Sequence, residues 1–212
     1  MSAAELLGGL EAEAATDHRC PSLAWGLVEG GRLTASGGVG MLHDGAAPDQ
    51  HTVYRIASMT KSFTSAAVLS LRDEGVLSLD VPVADYAPEL AGVRGPAGSA
   101  PITLRRLMSM TAGMATDDAW ADRHLDMTPD EIDRIYAEGP FFARLPDDGY
   151  EYSNLGFGMI GRTVLAATGT RVQEHISTRL LGPRCVPAPG CPWRPGTHLD
   201  STTGAEMCSC TR

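Results

Sequence analysis

The spacing of apolar residues changes at Ser58, and this change constrains the fold more than any other feature of the sequence. Before it, Ser22 to Val28 and Arg32 to Gly38 are predicted strands, joined through Glu29-Gly30-Gly31 as a hairpin. Val53 to Ile56 is predicted to be a further short extended piece. After it, apolar residues recur at helical spacing until Gly75, a suitable C-terminal cap. The predicted face of this helix consists of Phe63, Ala66, Ala67, Ser70 and Leu71. The pattern predicts a mixed α/β protein.

Capping residues and helical periodicity predict several more helices. Thr128 is the strongest start signal, because Pro129 occupies the first helical position and Glu131 completes a capping box. Asn154 is predicted to cap a helix that covers residues 155–168 and ends at Gly169. The other predicted helices span residues 3–16, 103–110 and 171–181.

The bulk composition is ordinary for a globular protein, with 43% hydrophobic and 20% charged residues. At 212 residues the chain can form one large domain or two small ones. The formal net charge of -9 argues against nucleic acid or an anionic membrane as a partner. No apolar run has the length of a membrane span. Because the N-terminus lacks the positively charged start of an export signal, we expect a cytoplasmic location.

Lys61 is the only lysine in the sequence, and it follows Ser58 by three residues. Side chains at this spacing share one face of a helix, so the amine is expected within reach of the hydroxyl. A lysine, unlike an arginine, can give up its proton in an apolar pocket and then accept the proton of a serine. The pair therefore suggests an activated nucleophile. These residues alone are equally compatible with Ser58 as a helix cap and Lys61 as a solvated surface residue.

A second polar group, Tyr152-Ser153-Asn154, stands between a predicted extended stretch and a helix. A tyrosine held near a cation can pass protons between a serine and a leaving group. Asn154 can orient the lysine or bind a substrate carbonyl. The alternative is structural, with Asn154 as a helix cap and Tyr152 as a half-buried aromatic residue. The pattern Tyr-x-Asn by itself does not decide between them.

With their flanking sequence, the two motifs resemble the serine beta-lactamase-related hydrolases, which include class C beta-lactamases, D-stereospecific peptidases and carboxylesterases. The resemblance covers about residues 5–183, in order and at family-like spacing. It implies that Ser58 is the acylated nucleophile, Lys61 its base and Tyr152 the proton shuttle, with Asn154 binding substrate at the cleft. It also implies a small-molecule substrate and no metal or organic cofactor. The segments that carry it are residues 54–64, 71–80, 103–113, 151–169 and 181–183.

The family pattern has a third motif, a Lys or His followed by Thr or Ser and then Gly, on a downstream strand. This triplet does not occur here, because Lys61 is the only lysine and no histidine is followed by Thr or Ser and then Gly. In the family, that strand supplies one of the two backbone amides of the oxyanion hole, and the nucleophile, here Ser58, supplies the other. The same region supplies strands that pair with the hairpin. We therefore expect only the N-terminal part of an antiparallel sheet, flanked by helices, with a helical subdomain, and it stays open whether the chain is an active enzyme.

The sequence changes character after Arg184, where the family pattern continues differently. Four of the five cysteines lie in the last 28 residues, among prolines and without apolar periodicity. We hypothesise that the reading frame shifts near Arg184 and that residues 185–212 are a disordered tail. A disulfide cluster is not favoured without an export signal. A zinc site is not favoured either, because the spacings match no common structural site; its candidate ligands are Cys185, Cys191, His198, Cys208 and Cys210.

The predicted organisation is thus a partial beta-lactamase-like domain over residues 1–184 and a Pro- and Cys-rich tail over residues 185–212. The predicted function is acyl transfer through a serine acyl-enzyme, on an ester, amide or beta-lactam carbonyl. The alternative is a truncated, catalytically incompetent fragment or a ligand-binding pseudoenzyme. The sequence does not indicate an oligomeric state.

Overall fold

The computed structural model describes residues 3–16, 20–116 and 127–182. The chain divides into two compact units, Met1–Arg55 with Arg184–Arg212, and Ile56–Pro183. The predicted tail, residues 185–212, and its possible zinc ligands lie outside the described residues.

The first unit contains a helix and a β-hairpin. Helix α1 spans Ala3–Thr16, strand β1 spans Ser22–Glu29 and strand β2 spans Arg32–Gly40. The strands pair antiparallel from Ser22 with Gly40 to Glu29 with Arg32. Gly30 and Gly31 have φ angles of +56° and +78°, which is the geometry that a two-residue hairpin turn requires.

The hairpin is therefore confirmed, and it extends two residues further along β2 than predicted. The short extended piece predicted at residues 53–56 forms no strand in the part of the chain that the structure describes. There the sheet consists of β1 and β2 alone.

The second unit is helical. One-turn and longer helices alternate with two 3₁₀ segments, Ala57–Met59 and Pro88–Gly92, and the unit ends in a π-helical turn, Ile176–Leu181. Across the described ranges, no helix has the length and apolar character needed to cross a membrane. The α-helices are α2 (Thr60–Asp73), α3 (Val83–Tyr86), α4 (Leu104–Met108), α5 (Pro129–Glu138), α6 (Asn154–Thr168) and α7 (Val172–His175). Together with the hairpin, they confirm the predicted α/β class.

The capping predictions can be compared with the structure at the starts of α5 and α6. The capping box of α5 is confirmed, because the Thr128 hydroxyl accepts from the Glu131 amide and the Glu131 carboxylate accepts from the Thr128 amide. At α6 the predicted cap, Asn154, is wrong by one residue. Ser153 has extended backbone angles, and its Oγ accepts from the amide of Gly156 at 3.1 Å. The side chain of Asn154 is thereby left for other contacts.

The hydrophobic core lies within the second unit and holds α2, α4 and α6 together. Helix α2 buries Thr64, Ala67, Val68 and Leu71. The predicted face of α2 was therefore partly wrong, because Ala66 is exposed and Val68 is fully buried. Val68 and Leu71 have more apolar surface than Ala66. Burying them therefore stabilises this orientation of α2 against the core more than burying Ala66 would. From α6, Met159, Ile160 and Val164 are fully buried.

Candidate active site

Ser58 lies in the single 3₁₀ turn that precedes α2. Ala57, the residue before it, has a φ of +44°, in the left-handed region that non-glycine residues rarely occupy. Backbone strain of this kind is concentrated at functional sites. Ser58 does not cap α2, because the N-cap position is Met59 and no side chain caps the helix. The Ser58 hydroxyl makes its hydrogen bonds to Tyr152 and Lys61 instead.

Lys61 lies in the first turn of α2, and its ammonium group connects the two predicted motifs. The Nζ donates to Ser58 Oγ at 3.1 Å and to Asn154 Oδ1 at 2.6 Å. It also lies 4.8 Å from the ring centroid of Tyr152 and 5.5 Å from that of Phe157. Among the residues that the structure describes, no carboxylate comes within 4.0 Å of it. The half-buried Lys61 is therefore held by neutral groups, not by a counter-charge.

Tyr152 completes the group of side chains around Ser58. Its Oη lies 2.7 Å from Ser58 Oγ, and either oxygen can donate the proton. The phenol also lies 3.4 Å from Asn154 Oδ1, to which it donates. Ser58, Lys61, Tyr152 and Asn154, which we call the tetrad, are therefore joined by hydrogen bonds into one cluster. Sequence predicted two motifs 94 residues apart, and the structure brings both to one place.

Two ion pairs fix the segment that leads into Tyr152. The guanidinium of Arg106 binds both carboxylate oxygens of Asp147, at 3.0 and 2.7 Å, and Arg144 binds Glu151 at 2.8 Å. The hydrogen bond from Arg106 lowers the pKa of Asp147. Hydrogen bonds from Thr116 and then Arg144 lower the pKa of Glu151. Both carboxylates therefore stay ionised near neutral pH and anchor the chain just before the tetrad.

The N-terminus of α6 is positioned by a buried tyrosine. Tyr136 on α5 is completely buried, and its Oη donates to the backbone oxygen of Leu155 at 3.2 Å. Ser153, itself buried, caps the helix as described. Asn154 is the first residue of α6, so these contacts place its side chain toward Lys61.

In residues 3–16, 20–116 and 127–182, no three His, Cys, Asp or Glu side chains are arranged to hold a metal ion. The groups that are present can exchange protons directly, because a hydroxyl lies within hydrogen-bond distance of both an amine and a phenol. Such an arrangement can activate a serine without an ion.

Two features of the site were not predicted from the sequence. The first is Phe157, which follows Asn154 by three residues and so shares a face of α6 with it. That spacing was a usable signal. The second is the strain at Ala57, for which the sequence offers no signal. One further signal was overlooked: Asn154 is the only asparagine in the chain, as Lys61 is the only lysine.

Comparison with known proteins identifies the family. The beta-lactamase family model matches residues 7–190. Penicillin-binding protein 4 of Amycolatopsis lactamdurans is 30% identical over 174 residues, which are 79% of this chain and 44% of the relative. The D-alanyl-D-alanine-carboxypeptidase/endopeptidase AmpH of Escherichia coli K12 is 30% identical over 171 residues, 77% of this chain and 44% of the relative. The chain thus spans less than half the length of these relatives.

Solved structures agree on the fold. The octameric penicillin-binding protein homologue of Pyrococcus abyssi superposes with a TM-score of 0.72 at 23% identity, covering 86% of this chain and 43% of that one. A D-stereospecific amidohydrolase of Streptomyces sp. has a TM-score of 0.63 at 27% identity, covering 86% and 54%. The predicted beta-lactamase-like fold is confirmed. Because the family model matches most of its residues, the chain belongs to the beta-lactamase family.

Proposed function

We propose that the protein is a serine hydrolase that forms an acyl-enzyme at Ser58 with an ester, amide or beta-lactam carbonyl. One observation carries the proposal: Ser58 Oγ lies within hydrogen-bond distance of both Lys61 Nζ and Tyr152 Oη, at 3.1 and 2.7 Å. A serine hydroxyl is a weak nucleophile until an adjacent base takes its proton. The family's serine hydrolases make the same chemistry the first expectation for this chain.

In the proposed acylation, the neutral amine of Lys61 removes the Ser58 proton as Oγ attacks the carbonyl carbon. The carbonyl oxygen becomes an oxyanion in the tetrahedral intermediate. When the intermediate collapses, the bond to the leaving group breaks and the leaving group takes a proton from Tyr152, which is replenished from Lys61. The product is an ester of Ser58, and water attacks it in the second half of the cycle. Asn154 holds the amine in line and contributes a polar edge to the substrate cleft.

This sequence contains fewer groups for stabilising the oxyanion than the family pattern does. We assign one donor to the backbone amide of Ser58, and the family's second donor belongs to the motif that this sequence lacks. Removing one donor from an oxyanion hole typically lowers the rate by about 10²–10³. We therefore expect acylation to be slow but measurable with an activated acyl donor.

The proposal is tested by covalent labelling. The protein is incubated with a fluorescent penicillin and, separately, with an activated ester, and the intact mass is followed over time. We expect an increase equal to one acyl group, absent in Ser58→Ala. Lys61→Arg is the sharper control, because it keeps a positive charge but not a base. An adduct that persists in Ser58→Ala contradicts the proposal.

A second candidate is a chain that binds a carbonyl ligand without turning it over. The observation that favours it is the absence of any Lys or His followed by Thr or Ser and Gly. It predicts a ligand-dependent rise in melting temperature that Ser58→Ala does not remove, with no change in mass. If neither an adduct nor a thermal shift appears and the melt is poorly cooperative, the catalytically incompetent fragment is supported instead.

A further inference from the structure

We propose that Phe157 is a positioning residue that holds the Lys61 amine in line with Ser58. Its role in catalysis rests on the function proposed above, whereas its contact with Lys61 does not. Phe157 belongs to neither motif, and it acts through Lys61.

The end of Lys61 lies over two aromatic rings. Its Nζ lies 5.5 Å from the ring centroid of Phe157 and 4.8 Å from that of Tyr152, both within the range of about 6 Å in which a ring face attracts a cation. Hydrogen bonds to Ser58 and Asn154 fix two further directions. The Phe157 ring is therefore a further contact of the amine, in addition to its two hydrogen bonds.

Phe157 is itself held firmly. It is half-buried and packs against the hydrophobic core, and it lies on the same face of α6 as Asn154, one turn further along. The helix thus presents an acceptor oxygen and a ring face to the same ammonium. Both contacts move with one rigid element, which keeps their spacing constant.

A lysine needs such support, because four rotatable bonds separate its amine from the backbone. Without contacts, the side chain samples many conformers. A carboxylate is the usual partner, yet within the described residues none lies within 4.0 Å of Lys61. A carboxylate would also hold the amine protonated, which the proposed base cannot tolerate. A neutral ring orients the amine without adding a full charge.

Removing the ring should lower the rate of acylation at Ser58. Misplacing a catalytic group by about 1 Å can lower a rate by about 10²-fold, and a base that loses one of its several orienting contacts is expected to lose part of this, about 5- to 30-fold. We expect Phe157→Leu, which keeps an apolar side chain, to slow acylation at Ser58 by this factor. Phe157→Tyr keeps the ring face and should retain most of the rate.

Phe142 offers a matched control. It is also half-buried and packed against the core, and among the described residues its ring makes no contact with Lys61. Phe142→Leu therefore removes the same number of atoms from the same core. If the role of Phe157 were merely structural, the two leucine variants would have similar effects on acylation and melting temperature.

The single lysine allows a test that does not depend on activity. In protein labelled with ¹³C-lysine, the side chain of Lys61 gives the only lysine signals, so no assignment is needed. Two ring faces should shift its Hε resonances upfield. We expect that shift to shrink in Phe157→Leu and to persist in Phe157→Tyr and Phe142→Leu. Phe157→Met is examined in the same way should the leucine variant fail to fold.

The two readouts separate the two proposals. A Lys61 shift that depends on Phe157, in a protein that forms no adduct at Ser58, supports the positioning contact and overturns the proposed function. An adduct that forms at the same rate in Phe157→Leu, with unchanged lysine signals, overturns the role of Phe157 and leaves the proposed function standing.

Discussion

Replacing Asn154 with aspartate tests the proposed proton transfer with almost no change in shape. The substitution puts a carboxylate oxygen where Asn154 Oδ1 now lies, 2.6 Å from Lys61 Nζ. Asparagine and aspartate are nearly isosteric, so the fold should be kept. An acidic residue in the first turn of α6 also interacts favourably with the helix dipole. The melting temperature should therefore be unchanged or slightly raised.

The magnitude follows from the distance and the exposure. Coulomb's law at an effective dielectric constant of about 20 gives roughly 5 kcal/mol for unit charges about 3 Å apart. Because Lys61 is only half-buried, water screens part of this. A nearby opposite charge typically changes the free energy of protonation of a side chain by about 1.4–4 kcal/mol, which is less than the Coulomb figure, and we use this range. The added carboxylate stabilises the proton on the base by this amount, so we expect acylation at pH 7 to fall by about 10- to 10³-fold.

Acylation by a fluorescent penicillin, followed by intact mass at several pH values, measures the effect. We expect the Asn154→Asp rate at pH 7 to be lower than that of the wild type by this factor. Gln173→Glu is the matched control. It converts an exposed amide to a carboxylate on α7, with the same change in net charge. Its acylation rate should equal that of the wild type.

The proposed proton transfer is refuted if Asn154→Asp is acylated at the wild-type rate at pH 7 and has the wild-type melting temperature. That result would mean that Lys61 does not need to be neutral, and the role of base would pass to another group. Tyr152 would then be the first candidate, because its Oη is closer to Ser58 Oγ than Lys61 Nζ is, at 2.7 against 3.1 Å.

Three further predictions address the tetrad and its support. Tyr152→Phe keeps the ring near the amine but removes the hydroxyl 2.7 Å from Ser58, so acylation should fall by about 10²–10⁴ with no change in melting temperature. In Gly158→Ala the new methyl group would lie 2.6 Å from the Oη of the fully buried Tyr136. We expect urea denaturation to show a free energy of unfolding lower by about 1–3 kcal/mol. If the structure moves to accommodate the methyl group, the free energy of unfolding should instead rise slightly, as is usual when alanine replaces glycine in a helix. Burial lowers the pKa of His175 below its usual 6.5, so the unfolded chain binds more protons than the folded one just below that pH. The free energy of unfolding should therefore fall as the pH drops from 7 to 5, and fall less in His175→Gln.

Local signals predicted the elements of the fold well where one residue determines the backbone. The Gly30-Gly31 turn supplied both positive φ angles, and the capping box at Thr128 began α5 at the predicted residue. The prediction at Asn154 failed because Ser and Asn are both good caps and stand side by side. The choice between them depends on a tertiary contact: Lys61 uses the Asn154 oxygen, so Ser153 caps the helix.

The positions of the candidate site residues were predictable only within each motif. The three-residue spacing from Ser58 to Lys61 put them on one helical face, and the structure joins them at 3.1 Å. No local rule could place Tyr152 beside Ser58, because that contact depends on the packing of α2 against α6 through the core. The spacing from Asn154 put Phe157 on the same face of α6, but its contact with Lys61 crosses between the two helices and no local rule could predict it.

The two candidate functions differ in rate rather than in the geometry of the tetrad. All four residues belong to the second unit, Ile56–Pro183, which also contains the hydrophobic core, so their arrangement rests on contacts within that unit. The motif missing from the sequence would supply an oxyanion donor, worth about 10²–10³ in rate, and neither the nucleophile nor its base. Single-turnover acylation is therefore the measurement that separates the candidates. A slow adduct dependent on Ser58, Lys61 and Tyr152 means that the tetrad works and lacks only stabilisation of the oxyanion. No adduct with the most activated donors means that the tetrad by itself does not activate Ser58.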